Sequence, residues 1–263
     1  MTTTTTVVSG MRGALGLGRA RTEGIVVRHQ VQVGANQFGF CFTAPPAMDR
    51  RGAGEALADA VAELRALDTT FGPLRERSLV SRFRRGEISA ELYAPLADLV
   101  DRCILMRAAT DGWFDAWAVP GGFDPSGLVK GWSVERAAAR LRASGIENYA
   151  IHAGADVTVR GHSPAGRPWK IAVRDPYDGR RVIETLELTS GAVATTGAAG
   201  RRDHVVDPHT GRQAEGFALT TVVGPELSAA NGYAIALYAA GPTALSWFPT
   251  ADGYRALDRT GRL

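Results

Sequence analysis

Residues 194–211 read Ala194-Thr195-Thr196-Gly197-Ala198-Ala199-Gly200-Arg201-Arg202-Asp203-His204-Val205-Val206-Asp207-Pro208-His209-Thr210-Gly211, and the assignment of the chain turns on them. A short apolar strand, Gly191 to Ala194, runs into a glycine-bearing loop rich in hydroxyls. Small residues let a ligand approach the main chain, and free N–H groups in such a loop can cradle phosphate oxygens. Arg201 and Arg202 add positive charge, and His204 belongs to the residue type that titrates near neutral pH. An Asp-Pro-x-Thr-Gly turn closes the stretch. The same residues also describe a polar hairpin between two core strands. On the residues alone, both readings stay open.

Working outward, the neighbouring block of interest is Phe123-Asp124-Pro125-Ser126-Gly127-Leu128-Val129-Lys130-Gly131-Trp132. A glycine loop that opens a helix presents main-chain N–H groups and the positive end of the helix dipole to an anion. Lys130 at the mouth of such a helix suits a pyrophosphate, although a surface lysine near a helix start has the same appearance. Further along, Tyr149 to His152 reads as a strand leading into Ala153-Gly154-Ala155-Asp156. Toward the end, Ala230-Asn231-Gly232-Tyr233-Ala234-Ile235 lies on an apolar helix, where spacing i, i+4 sets Asn231 and Ile235 on one face.

Taken together, these blocks resemble the FAD:protein FMN transferases, the ApbE-type flavin transferases. The first matches the family's A-T-S-G … H-I-I-D-P-x-T-G signature, and the second is similar to Asp-Leu-Gly-Gly-Ile-Ala-Lys-Gly-Tyr. Residues 154–156 resemble its Gly-Gly-Asp or Gly-Gly-Asn, with Ala155 departing from it. Gly34 matches the glycine, but not the threonine, of a Met-Gly-Thr hairpin that in the family lies against the flavin nucleotide. The resemblance covers roughly residues 31 to 248. It implies an α+β fold of two similar, interleaved strand–helix–sheet halves with a nucleotide cleft between them.

The resemblance implies FAD as the nucleotide, with contacts from Gly34, Asp124, Gly127, Lys130, Gly131, Gly154, Asp156, Thr195, Thr196, Gly197, His204 and Asp207. His204 and Lys130 take the catalytic roles, His204 as base or phosphate contact and Lys130 as anion stabiliser. The implied reaction is cleavage of the FAD pyrophosphate, transferring FMN to a protein threonine or to water. In the family a helix beginning Ala-Asp-x-x-Ala-Thr binds Mg²⁺ through the acid and the hydroxyl, together with a main-chain carbonyl near the lysine. Here Asn231 replaces the acid and Ile235 the hydroxyl, and only Ala234 is kept. The expectation is weak or absent Mg²⁺ binding. A flavin-binding protein, or an enzyme repurposed on the same fold, stands as the rival reading.

Composition sets the outer bounds. The chain has 263 residues with 45% hydrophobic and 22% charged content, as in an ordinary globular protein, and a net charge of +3. The basic residues form no long run, which speaks against a nucleic-acid partner. Cys41 and Cys103 lack metal or redox spacing and read as core thiols. Residues 1–24 lack the order of a secretory signal and read as a flexible tail before a single domain, 25–263. No apolar run suits a bilayer, so the expectation is a cytoplasmic protein without membrane insertion.

Local patterns supply the elements. Strands are expected at 25–33, 38–43, 149–152, 156–160, 169–174, 181–188 and 217–224. Helices are expected at about 51–68, 92–106, 132–143 and 226–240. Trp113, Phe114 and Trp117 suit either stacking on a flavin ring or core filling.

Overall fold

Strand β3 (Asn36–Thr43) sets the layering of the molecule. Its alternate residues Phe38, Phe40 and Phe42 point into one hydrophobic core, while Cys41 points into another. A strand buried on both faces must carry cores on both sides, each side chain alternating across the pleat. The computed structural model describes residues 7–8, 24–197, 205–248 and 253–260, which build an α+β fold.

The strands around β3 form a seven-stranded antiparallel sheet in the order β10-β9-β8-β5-β4-β3-β2. Its members are β2 (Val26–Val33), β4 (Asn148–Ala153), β5 (Asp156–Arg160), β8 (Ser190–Gly197), β9 (Leu219–Gly224) and β10 (Arg255–Asp258). Helices α1 (Arg50–Phe71), α3 (Ala94–Ala109), α4 (Ser126–Ala143) and α5 (Leu227–Ala240) contribute to the core on one face. The other core joins the sheet to β6 (Trp169–Arg174) and β7 (Val182–Leu188), with Trp169, Ile171 and Leu186 buried there. These two strands form a three-stranded sheet with β1 (Val7–Val8), which pairs with Ala172 and Ile171. Two residues of the stretch read as a tail therefore add a strand; residues 1–6 and 9–23 lie outside the described residues. No described helix is long and apolar enough to cross a membrane.

Polar ties fix the helix layer. Glu63 of α1, only 9% exposed, accepts from Arg136 Nε at 2.9 Å and from Arg140 Nη2 at 2.6 Å on α4. Burial raises the Glu63 pKa, but the hydrogen bonds from both guanidiniums outweigh it and leave the carboxyl below its ordinary value. Glu135 of α4 accepts from Ser228 N at 2.8 Å and Ser228 Oγ at 3.0 Å, which caps the start of α5. Burial pushes the Glu135 carboxyl up.

Two local expectations shift. A short helix, α2 (Leu79–Arg84), and a 3-10 turn at Ala90–Leu92 precede α3. Leu92, expected on a buried helix face, is exposed, because α3 starts afresh at Ala94 with Pro95 in its first turn.

Candidate functional site

The strand register gathers the glycine turns at one end of the large sheet. Val33 pairs with Asn36 around Gly34, Ala153 pairs with Asp156 around Gly154, and Gly197 pairs with Leu219 as β8 ends. Gly154 has φ +63°, a backbone that a side chain would strain, so the departure at Ala155 leaves the glycine that the turn needs. Gly34 also has positive φ, and a side chain there would run into the Asp68 carboxylate of α1. Asp68 in turn pairs with Arg75. The hairpin glycine is thus explained by packing against α1.

At this end of the sheet, Asp156 lies at the start of β5 and is 1% exposed. Its Oδ1 accepts from the Thr195 N–H of β8 at 3.0 Å. Its Oδ2 lies 2.5 Å from Lys130 Nζ of α4, an ion pair by distance in which Oδ2 receives no directed hydrogen bond. Three separate elements, α4, β5 and β8, thereby bring Lys130, Asp156 and Thr195 together. Thr195 Oγ1 lies 3.0 Å from Thr221 Oγ1, which ties the β8 end to β9. Thr196 and Gly197 continue β8 beyond this point, both partly exposed.

The expected loop at 124–131 is in fact mostly helix. Helix α4 begins at Ser126, about a turn and a half before the expected start at Trp132, and just before it Asp124 Oδ1 accepts from Ser126 N at 2.9 Å in an Asx turn. Gly127 and Gly131 then fall four residues apart on one helix face. An added Cβ at Gly127 would lie 2.6 Å from Ile235 Cδ1, and one at Gly131 would lie 2.8 Å from the Leu227 and Ser228 backbone. Both glycines serve the close approach of α4 to α5. Lys130, on a different face, remains 35% exposed while reaching Asp156.

Among the arginines of 75–85, Arg85 pairs with Glu87 and Arg75 with Asp68 near the surface. Arg84 differs. Its Nε donates to Phe123 O at 2.7 Å, and its Nη2 lies 3.9 Å from Asp124 Oδ2. It braces the segment that starts α4, a role no local pattern announces.

Asp207 is occupied by its own turn. Oδ1 accepts from His209 N at 2.8 Å and Oδ2 from Thr210 Oγ1 at 2.9 Å. Burial raises its pKa, but these bonds and the Thr210 N–H hold the carboxyl below its usual range. His209 meets Trp113 edge to face, with centroids 4.5 Å apart. Trp113 and Ile235 both border a small cluster of Val205, Ala214, Tyr238 and Ala239. Phe114 is buried in the main core, whereas Trp117 is 37% exposed. His204, with Arg201 and Arg202, lies outside the described residues.

On α5, Asn231 is 5% exposed and its Oδ1 has no hydrogen-bond partner among the described residues. Ala234 is buried, and its carbonyl accepts from Thr220 Oγ1 at 2.7 Å. Ile235 fills the space between Gly127, Phe114 and the Trp113 cluster with hydrocarbon. The Val129 carbonyl already accepts from Ser133 Oγ at 2.7 Å. A hard divalent cation requires several oxygen donors with charge among them. Here one neutral amide oxygen faces an isoleucine, and no cluster of three His, Cys, Asp or Glu suits a metal among the described residues. These two positions supply no charged oxygen for such a cation.

Comparison with known proteins is consistent across sequence and structure. A FAD:protein FMN transferase of Vibrio cholerae serotype O1 is 34% identical over 128 residues, covering 45% of this chain and 38% of that protein. One from Rhodobacter capsulatus is 30% identical over 145 residues, covering 52% of this chain and 27% of that protein. The chain thus spans well under half the length of these curated relatives. The flavin transferase ApbE structure from Vibrio cholerae superposes with a TM-score of 0.77 at 22% identity, covering 89% of this chain and 93% of that one. An ApbE protein from Thermotoga maritima gives 0.75 at 22% identity, covering 90% and 96%. Residues 118–257, more than half of the sequence, match the family profile that spans α4, Asp156, the 194–211 stretch and α5, so the chain belongs to the ApbE family.

Proposed function

We propose that residues 25–263 form a single flavin-nucleotide-binding unit that acts in the cytoplasm on FAD, cleaving its pyrophosphate and passing FMN to a protein threonine or to water. The observation that carries this reading is the convergence of Lys130, Asp156 and Thr195 at the sheet end where the glycine turns collect. In the proposed reaction the acceptor oxygen bonds to the phosphorus on the FMN side. The bond from that phosphorus to the bridging oxygen breaks, AMP departs, and the acceptor proton passes to a base. His204 is our candidate base, by its place in the 194–211 stretch. Lys130 and the main chain at the end of the Thr195–Gly197 stretch, beyond the Thr195 N–H that Asp156 holds, oppose the charge on the phosphate oxygens. Asp124, Gly127, Gly131 and Asp207 are assigned to the nucleotide by resemblance, apart from the reacting atoms.

A second reading is favoured by Asn231 and Ile235: the chain binds FAD or FMN without transfer, or uses the cleft for other chemistry. Weak or absent Mg²⁺ dependence belongs to both readings, because an amide and an isoleucine stand where a cation needs charged oxygen. The test is incubation with FAD, with and without Mg²⁺, followed by chromatography for FAD, FMN and AMP. The first reading expects AMP release. The double variant Asn231→Asp with Ile235→Thr should create or sharply raise the Mg²⁺-dependent part. Strong Mg²⁺ dependence in the unmodified protein would refute the reading of the metal position. Inactivity of both proteins, with FAD retained intact, would favour the binding role.

A further inference from the structure

Lys130 carries a positive charge toward the candidate site, yet that charge is already matched. The Asp156 carboxylate lies 2.5 Å from the ammonium and is almost wholly removed from water, 1% exposed against 35% for the lysine. A carboxylate this buried depends on its counter-charge, because an unpaired ion in a dry interior is strongly disfavoured. The two oxygens divide their work: Oδ1 holds the Thr195 N–H, and Oδ2 faces Lys130 without a directed hydrogen bond. Two functions of the residue are therefore separable, one needing only an acceptor and the other needing charge.

We propose that Asp156 is a positioning residue and internal counter-ion that sets the anion affinity of this site, holding Lys130 against the β8 end and cancelling its charge until a phosphate-bearing ligand shares the ammonium. The identity of that ligand as a flavin nucleotide rests on the function proposed above; the charge balance does not. The Lys130–Asp156 pair by itself sums to neutral. A neutral pair binds an anion through local geometry, and only weakly through long-range attraction.

Asp156→Asn separates the functions. The amide oxygen keeps the bond from Thr195 N–H, while the loss of charge leaves Lys130 uncompensated. The probes are inorganic pyrophosphate by calorimetry and FAD by fluorescence titration, each at low and high salt, with thermal unfolding as the control for folding. The expected result is pyrophosphate binding that tightens on the order of tenfold in the variant at low salt, from one unit of added positive charge near the anion. The gain should shrink as salt screens it. It should also vanish when Lys130→Ala is added, since the effect acts through the lysine. A merely structural role for Asp156 would lower stability without this salt-sensitive, Lys130-dependent gain.

Unchanged or weaker pyrophosphate binding in a folded Asp156→Asn protein overturns the proposal, as does a gain that survives Lys130→Ala. Absence of pyrophosphate binding in every form overturns it as well. Asp156→Ala provides a second neutral variant. If both fail to fold, the charge serves the fold and the proposal falls. Pyrophosphate results as expected, with no FAD binding in any form, would remove the flavin reading and leave the counter-ion role standing.

Discussion

Replacing Gly131 by alanine adds one methyl group at the crossing of α4 and α5, and the structure gives the sign of its effect. In an open helix the change would stabilise by about 1 kcal/mol, since alanine restricts the unfolded chain and glycine does not. At Gly131 the new Cβ would lie 2.8 Å from the Leu227 carbonyl carbon and oxygen and from Ser228 Cα. These are main-chain atoms and cannot rotate away, so the helices must part by several tenths of an ångström. Overpacking of this kind costs about 1–3 kcal/mol. Separation also strains the bonds from Ser228 N and Oγ to Glu135, each worth about 1 kcal/mol. The net expectation is destabilisation by about 1–3 kcal/mol, cost exceeding propensity. Urea unfolding measures it: with a slope of about 3 kcal/mol per molar, the midpoint falls by roughly 0.3–1 M. Gly54→Ala is the matched control, an exposed glycine of α1 with nothing within 4 Å of an added Cβ, and it should raise the midpoint. A Gly131→Ala protein as stable as the natural one would refute the close-approach argument.

The Glu63 carboxylate, which ties α1 to α4, should make stability fall with acid. Its folded pKa is depressed, so its contribution is present above the unfolded value and is lost as pH falls through the folded one. Urea midpoints at pH 7 and pH 3 should therefore differ less in Glu63→Gln than in the natural protein; an equal difference would count against this tie. Cys103 should resist thiol reagents at pH 8 until urea opens the core. Burial first, then the nearby Asp115 and Asp124 charges, push its pKa to about 12, so thiolate is scarce even apart from access. Fast labelling of Cys103 in the native protein would contradict its buried placement.

Local sequence determined the elements and the family. Period-two alternation in 38–43 and the apolar run ending at Gly224 became β3 and β9, because a strand buried on both faces or one face leaves a mark within a few residues. The glycine turns at 34 and 154 were equally legible, since positive φ is a local demand. The substitutions Asn231 and Ile235 were readable because i, i+4 geometry is inherent to a helix. Tertiary structure decided what these residues meet. The glycines of 127 and 131 suggested a phosphate loop, but their partners are Ile235 and Leu227, about a hundred residues away in sequence. Arg84 carries no local mark of its contact with Phe123, which braces the segment before α4. Above all, the resemblance assigned Lys130, Asp156 and Thr195 to one nucleotide site, but only the structure pairs the lysine with the aspartate and the aspartate with the Thr195 N–H. Their meeting follows from the antiparallel register of β5 and β8 and the packing of α4 against β5, a long-range fact that no local window of the chain encodes.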